Sequence, residues 1–271
     1  MAHAGKKDLL VLSGGHRYER QPFADLLDSL SGFGAEWDIT HLMHPEAEEA
    51  VANGRALEAD AVLFYDMGGY HFADNWVTSK PPSEGFRRAV LDRFASGRGA
   101  VAMHHALAGW ADWPEWHEML GGRFLYTAGT VRGQEVPDSG YRHDVEYTAN
   151  VVADHPVTRG LPPEFSVTDE LYLAQIFEQD FEPLIRSDYS FTRDNFYSAQ
   201  LGISGTLYAR EGWDHPPGSN CVAWHKQVTP HGSKGAPLVY LQFGDSPQTY
   251  ENPLVRQTLA NALNFIAGEN P

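Results

Sequence analysis

The chain has 271 residues, 36 of them acidic and 20 basic, for a formal charge of -16, so the attraction that supplies most non-specific affinity for nucleic acid or an anionic membrane is missing. A single cysteine, Cys221, excludes an internal disulfide and a thiolate zinc cluster and fits a reducing compartment, with the cytoplasm as the expected location. The apolar run after Lys6 and Lys7 stops at Ser13, too short for a signal-peptide core, and no stretch approaches the roughly 18 apolar residues of a membrane span, so a soluble protein is expected.

In chain order, DLLVLSGG (8–15) reads as a short strand closed by a Gly-Gly pair. The segment after it places Phe23, Leu26, Leu27 and Leu30 at helical spacing. The unit recurs: EWDITHL (36–42) precedes an Ala/Glu-rich helix, and DAVLFYDMGG (60–69) precedes a helix with Phe86, Ala89, Val90 and Phe94 on one face. GAVAMHH (99–105) is the fourth strand, followed by a helix that restarts at Pro114 and ends at Gly121-Gly122. Four strand–helix alternations argue for a parallel sheet covered on both faces. Beyond them, strands are expected in RHDVEYTANVV, PLIRSD, NCVAWHKQ and PLVYLQFG, and the chain closes with a helix capped by Asn252, with Pro253 in its first turn. No low-complexity linker or internal repeat divides the chain, so one α/β domain over 1–271 is expected.

In such sheets the ligand crevice lies beyond the C-terminal strand ends. The first strand end offers His16 and Tyr18, the third Asp66 and Tyr70, and the fourth His104 and His105; the chain carries thirteen histidines against five lysines. A residue at a strand-to-helix elbow stands exposed above the sheet, where related folds place a nucleophile. Adjacent strand residues point to opposite sides, so one of the two imidazoles is expected in the crevice, His104, with His105 at the helix start. Farther on lie His143-Asp144, then His155, Asp169, Glu170 and Tyr172. Imidazole with carboxylate is the ligand set of catalytic zinc and related divalent metals, and equally a general acid/base set. His16, His104, His143 and His155 are the metal candidates, although no H-E-x-x-H spacing is present. Trp110, Trp113 and Tyr70 near the same edge would suit stacking on a sugar ring, as well as core packing. SGGHRYER lacks the glycine spacing of a phosphate loop and reads as a plain turn, so neither nucleotide nor flavin is expected. Cys221 and His225 are about 13 Å apart on strand geometry, too far for a dyad, which leaves Cys221 to the core.

GAVAMHHAL through MLGGRF (99–124), HDVEY through DHPVTRGLPPEFSVTDELY (143–172), VAWHK, PLVYLQFGD and NPLVRQTLANALNFIAG together resemble the ThuA-like family of trehalose-utilisation proteins. The resemblance covers nearly the whole chain. It implies a three-layer α/β sandwich similar to flavodoxins and class I glutamine amidotransferases, with a mostly parallel central sheet. It also implies that His104 or its neighbour stands where the amidotransferases have cysteine, which argues against amidotransfer, and that the protein acts in the metabolism of oxidised disaccharides or glycosides. The site residues carried over by motif are His16, His104, His143, His155, Asp169, Glu170 and Tyr172. The chain departs from the family with Gly244-Asp245 where a Gly-His pair is common.

The expectation is an enzyme acting on a keto-sugar, glycoside or related polyhydroxylated substrate by hydrolysis, elimination or isomerisation. His104 and His155 would be acid/base or metal-ligating groups, Asp169 or Glu170 would orient an imidazole or serve as base, and Tyr172 would complete the catalytic set, with His16, Tyr18, Tyr70, His105, Trp110 and Trp113 binding substrate. The cofactor is a divalent metal, zinc or similar, if there is one. The alternative is a non-catalytic module binding a carbohydrate or a partner protein. A homodimer is the default assembly.

Overall fold

The computed structural model describes residues 5–268. Ten strands form its central sheet: β1 (Lys7–Gly14), β2 (Trp37–Met43), β3 (Ala61–Asp66), β4 (Ala100–Met103), β5 (Gly140–Val151), β6 (Glu164–Leu173), β7 (Glu182–Ser187), β8 (Tyr197–Ser198), β9 (Cys221–Val228) and β10 (Ala236–Leu241). One half is parallel, in the order β2-β1-β3-β4-β10, the doubly wound arrangement in which ligands sit beyond the carboxyl ends of the strands. From β10 the sheet continues through antiparallel β9, β7, β5 and β6, with β8 paired to β5.

Three layers follow from the alternation of side chains along each strand. Leu9, Val11, Leu63, Tyr65, Val101 and Met103 enter one apolar cluster with Phe23 and Leu26 of α1 (Arg20–Ser29). Leu10, Leu12, Val62, Phe64, Ala100 and Ala102 enter a second on the other face. That cluster is closed by α2 (Glu46–Ala52), α3 (Glu84–Ala95) and α4 (Pro114–Leu120). Each fully buried Leu, Val or Phe contributes about 1.5–3 kcal/mol to such a core, which is why strands buried on both faces read as unbroken apolar runs.

Helix ends fall where local chemistry puts them. Ser83 Oγ accepts from the Phe86 amide at the start of α3. Gly121 (φ 84°) ends α4 in the left-handed conformation. Asn252 Oδ1 accepts from the Leu254 and Val255 amides at the start of α5 (Pro253–Ile266), whose Val255, Leu259 and Leu263 pack on the first cluster. Among the described residues no helix is long and apolar enough to cross a membrane.

Two features of the antiparallel half differ from the sequence expectation. The strand β6 is not announced by the sequence, because its buried positions include Asp169 and Glu170. It pairs with β5 through a bulge in which Arg142 faces Leu171 and Val145 faces Asp169, so His143 and Asp144 together oppose Glu170. Asp144 takes the bulge's positive φ of 53°.

Candidate active site

The ends of β1, β4 and β10 carry residues at or beside one cavity, and the residue after each end is set by backbone conformation. After β1 the chain turns at Gly15, where a Cβ would lie 2.0 Å from the Met67 carbonyl oxygen, so only glycine fits. His16 follows it. After β4 comes His104 with φ 47°, a left-handed conformation that is costly for a non-glycine residue and is held here by its surroundings. Beyond β10 lie Gln242, Gly244 (φ 132°) and Asp245. The Gly244–Asp245 turn is pinned from two sides: Asp169 accepts from the Gly244 and Asp245 amides at 2.7 and 3.0 Å, and Tyr65 donates to the Gly244 carbonyl at 2.7 Å.

Both imidazoles of the His104-His105 pair face the site. The expectation of one in and one out rests on extended geometry, and the chain leaves that geometry at His104, so the two rings stand edge to face with centroids 4.4 Å apart. His104 is fully buried. Its Nδ1 lies 2.5 Å from the Gln242 carbonyl oxygen, an acceptor only, so Nδ1 carries the proton and donates. Its Nε2 lies 3.1 Å from Glu170 Oε2, 2.9 Å from the Tyr172 hydroxyl and 3.8 Å from Asp245 Oδ1. Glu170 and Tyr172 are two residues apart on β6 and so share a face, while Asp169 points the other way toward the Gly244 turn. The bulge brings His143 Nε2 to 3.1 Å from Glu170 Oε1, so one buried carboxylate bridges two imidazoles.

Electrostatics follow from that bridge. Burial alone would raise Glu170, but the hydrogen bonds from His104 and His143 outweigh it and hold the carboxyl down to about 2. Burial would likewise lower His104, and the contact with Glu170, helped by Asp169 and Asp245, lifts it to about 9. The Glu170 contact also raises His143. Asp245 moves the other way: burial and the negative charge of Glu170 push it up to about 7. His105 is lowered well below the usual histidine range, first by burial and then by His16 and His104.

His105, His143, Glu170, Tyr172 and Asp245 line a cavity of about 240 Å³ whose remaining wall is largely aromatic and aliphatic, with Phe124, Tyr126, Tyr141 and Leu207. A few polar groups converging among apolar walls is the usual character of a small-molecule site. His104, His105, Glu170 and Asp245 each present one nitrogen or oxygen within 4.8 Å of the others, close enough to hold a metal ion together.

The other sequence candidates lie around or away from this centre. His16 stacks on His105 (3.8 Å, 13°), but its two ring nitrogens lie against the Tyr65 and Arg17 carbonyls, so it supports the neighbouring ring and offers no free lone pair to a metal. Tyr18 packs beside it with its hydroxyl on Ser13. Trp110 and Trp113, expected to bind substrate, are 1% exposed and belong to the core under α3. Tyr70 packs on Tyr126 behind the cavity wall. His155 is not in the cluster at all: its Nδ1 accepts from the Val157 amide as a helix cap, beside His225 and Phe265. Cys221 is buried on β9 with its thiol pushed up to about 12 by burial. Asp245 and the aromatic wall are the residues that sequence reasoning missed. The one available signal for Asp245 was its place at the end of PLVYLQFGD, a strand end like the others.

The sequence profile of the ThuA family, described as trehalose utilisation, matches residues 8–266. The chain belongs to the ThuA family. A ThuA-like protein from Parabacteroides merdae superposes with a TM-score of 0.63 at 15% identity, over 98% of this chain and 91% of that one. A second, from Bacteroides uniformis, gives 0.61 at 18% identity over 98% and 93%. A cytoplasmic protein from Salmonella typhimurium gives 0.54 at 14% identity over 96% and 99%. At these identities the likeness is one of fold. No curated protein matches the sequence significantly. In this ThuA-family chain the strand-end elbow is therefore occupied by His104, with Asp245 facing it from the next strand end.

Proposed function

We propose that the protein is an enzyme of carbohydrate metabolism that acts on a keto-sugar, glycoside or related polyhydroxylated substrate by proton transfer in the cavity. The observation that carries this reading is the Glu170 carboxylate, held between His104 and His143 at 3.1 Å each on the cavity wall. Such a carboxylate orients an imidazole and balances its charge as it gains or loses a proton. His143, the more exposed of the two rings, is the group placed to exchange that proton with substrate. A sugar ring has apolar faces and a polar rim, and the mixed lining of aromatic rings, imidazole and carboxylate suits both. A carbonyl beside a C–H bond acidifies it, so proton removal there, followed by departure of a neighbouring glycosidic oxygen or by reprotonation elsewhere, requires no nucleophilic cysteine. The family description, trehalose utilisation, favours the same substrate class.

The test is to incubate the protein in D₂O with a panel of keto-disaccharides and their parent glycosides and to follow deuterium uptake and free sugar by NMR. Exchange or cleavage is expected for the wild type, reduced roughly 10²–10⁴-fold in His143→Ala. Sugar binding with neither exchange nor product would replace this reading with a carbohydrate-binding module on the same scaffold.

A further inference from the structure

We propose that His104, His105, Glu170 and Asp245 form a binding site for one divalent first-row metal ion, which lies beside the proton-exchanging His143. The four donor atoms lie within 4.8 Å of one another, and they come from three separate parts of the chain, the ends of β4 and β10 and the middle of β6. Two imidazoles and two carboxylates suit zinc or manganese, and the two carboxylates match the charge of the ion.

The preparation of each ligand supports the assignment. In His104, Nδ1–H is committed to the Gln242 carbonyl, which fixes the tautomer and aims Nε2 at the cluster, as metal-bound histidines are commonly held by a backbone carbonyl on the far nitrogen. An ion takes the position of the Nε2 proton. His105 is 9% exposed, and its ring orientation is fixed by stacking on His16. Among the described residues neither of its nitrogens has a hydrogen-bond partner: Nδ1 is buried without one, and Nε2 has only Asp245 at 4.0 Å. Nε2, the nitrogen on the Asp245 side, is therefore not committed to any hydrogen bond and is open to an ion. Among the described residues the Asp245 carboxylate makes two long ion-pair contacts, 3.8 Å to His104 and 4.0 Å to His105, and no shorter one, although its backbone is pinned by Asp169. Glu170 has the geometry of a bridge, with Oε2 toward the cluster and Oε1 toward His143. An ion there is placed to polarise a substrate carbonyl while His143 handles the proton. Only this last role depends on the proposed function.

The experiment reads binding without any substrate. Chelator-treated protein is titrated with Zn²⁺ and with Mn²⁺ by calorimetry, and its thermal midpoint is followed. One ion per chain and a rise in the midpoint are expected. Asp245→Asn and His105→Gln should each weaken binding at least tenfold, whereas His225→Gln, remote from the cluster, should leave it unchanged. Circular dichroism checks that each variant is folded, and visible absorption of the Co²⁺-loaded wild type reports the ligand field without any substitution. Absence of a stoichiometric ion and of a Co²⁺ spectrum in the wild type overturns the site, as does binding that is lost in His225→Gln but kept in Asp245→Asn. Either result leaves proton exchange by His143 standing, while sugar turnover that fails with the ion bound overturns the catalytic reading alone.

Discussion

His104, His105 and His143 meet Glu170 and Asp245 beneath a cavity, whereas His155 and His225 meet Glu182 beside Phe265 of α5. The residue types are the same, and the difference lies in what the second nitrogen of each ring does. His104 donates from Nδ1 to a carbonyl, so its Nε2 lone pair is free for a proton or an ion. His155 accepts at Nδ1 from the Val157 amide, so in the neutral ring the proton stays on Nε2, and binding an ion there would set an N–H against an N–H. Burial lowers both His155 and His225, which keeps that pair uncharged, while buried carboxylates raise His104 and His143. One group gathers at a cavity and the other closes a helix start.

Substitutions on the two sides should separate them. The largest effect is expected from Glu170→Gln, which keeps the shape but removes the charge shared by His104 and His143. Deuterium exchange should fall roughly 10²–10⁴-fold, and a rate within a few-fold of wild type would end the distinction between the clusters. His155→Ala should cost about 1 kcal/mol in urea denaturation, the worth of a lost cap, with exchange unchanged. A loss of turnover in that variant would move His155 back to the active centre.

The smallest effect is a pH dependence at a further histidine, in neither cluster. Burial acts to lower His44, but its 2.8 Å hydrogen bond to Asp66 and the charge of that carboxylate raise it overall. A raised folded-state value gives stability that is full below the unfolded value of about 6.5 and is lost as pH rises through the folded value. The stability difference between wild type and His44→Gln should therefore be larger at pH 5.5 than at pH 8.5. A difference independent of pH would show that the pair contributes through packing alone.

The parallel half was readable residue by residue. Leu9–Leu12, Ala61–Tyr65 and Ala100–Met103 are buried on both faces, so each is an uninterrupted apolar run between turn residues. The closing helix was equally plain from its Asn252 cap, its proline and its apolar stripe. The antiparallel half concealed its main contribution. In EFSVTDELYL the acidic pair at 169–170 looks like loop chemistry, because a charged residue is buried only when distant partners satisfy it. Those partners, His104, His143 and the Gly244–Asp245 amides, are 27 to 76 residues away in sequence. Trp110 and Trp113 misled in the opposite sense, since an aromatic near a strand end is compatible with a rim or a core.

By itself the sequence determined the layers, the strand-end place of His104, the histidine-and-carboxylate character of the candidate site and the family resemblance, because these depend on local periodicity and on residue identity. Tertiary structure alone decided which imidazoles meet which carboxylates. The left-handed turn at His104 brings both neighbouring rings inward, the bulge at 143–144 swings His143 onto Glu170, and the pinned turn at Gly244 brings Asp245 to face them. Each is held by contacts between chain segments far apart in sequence, whose free energy no short window of residues contains.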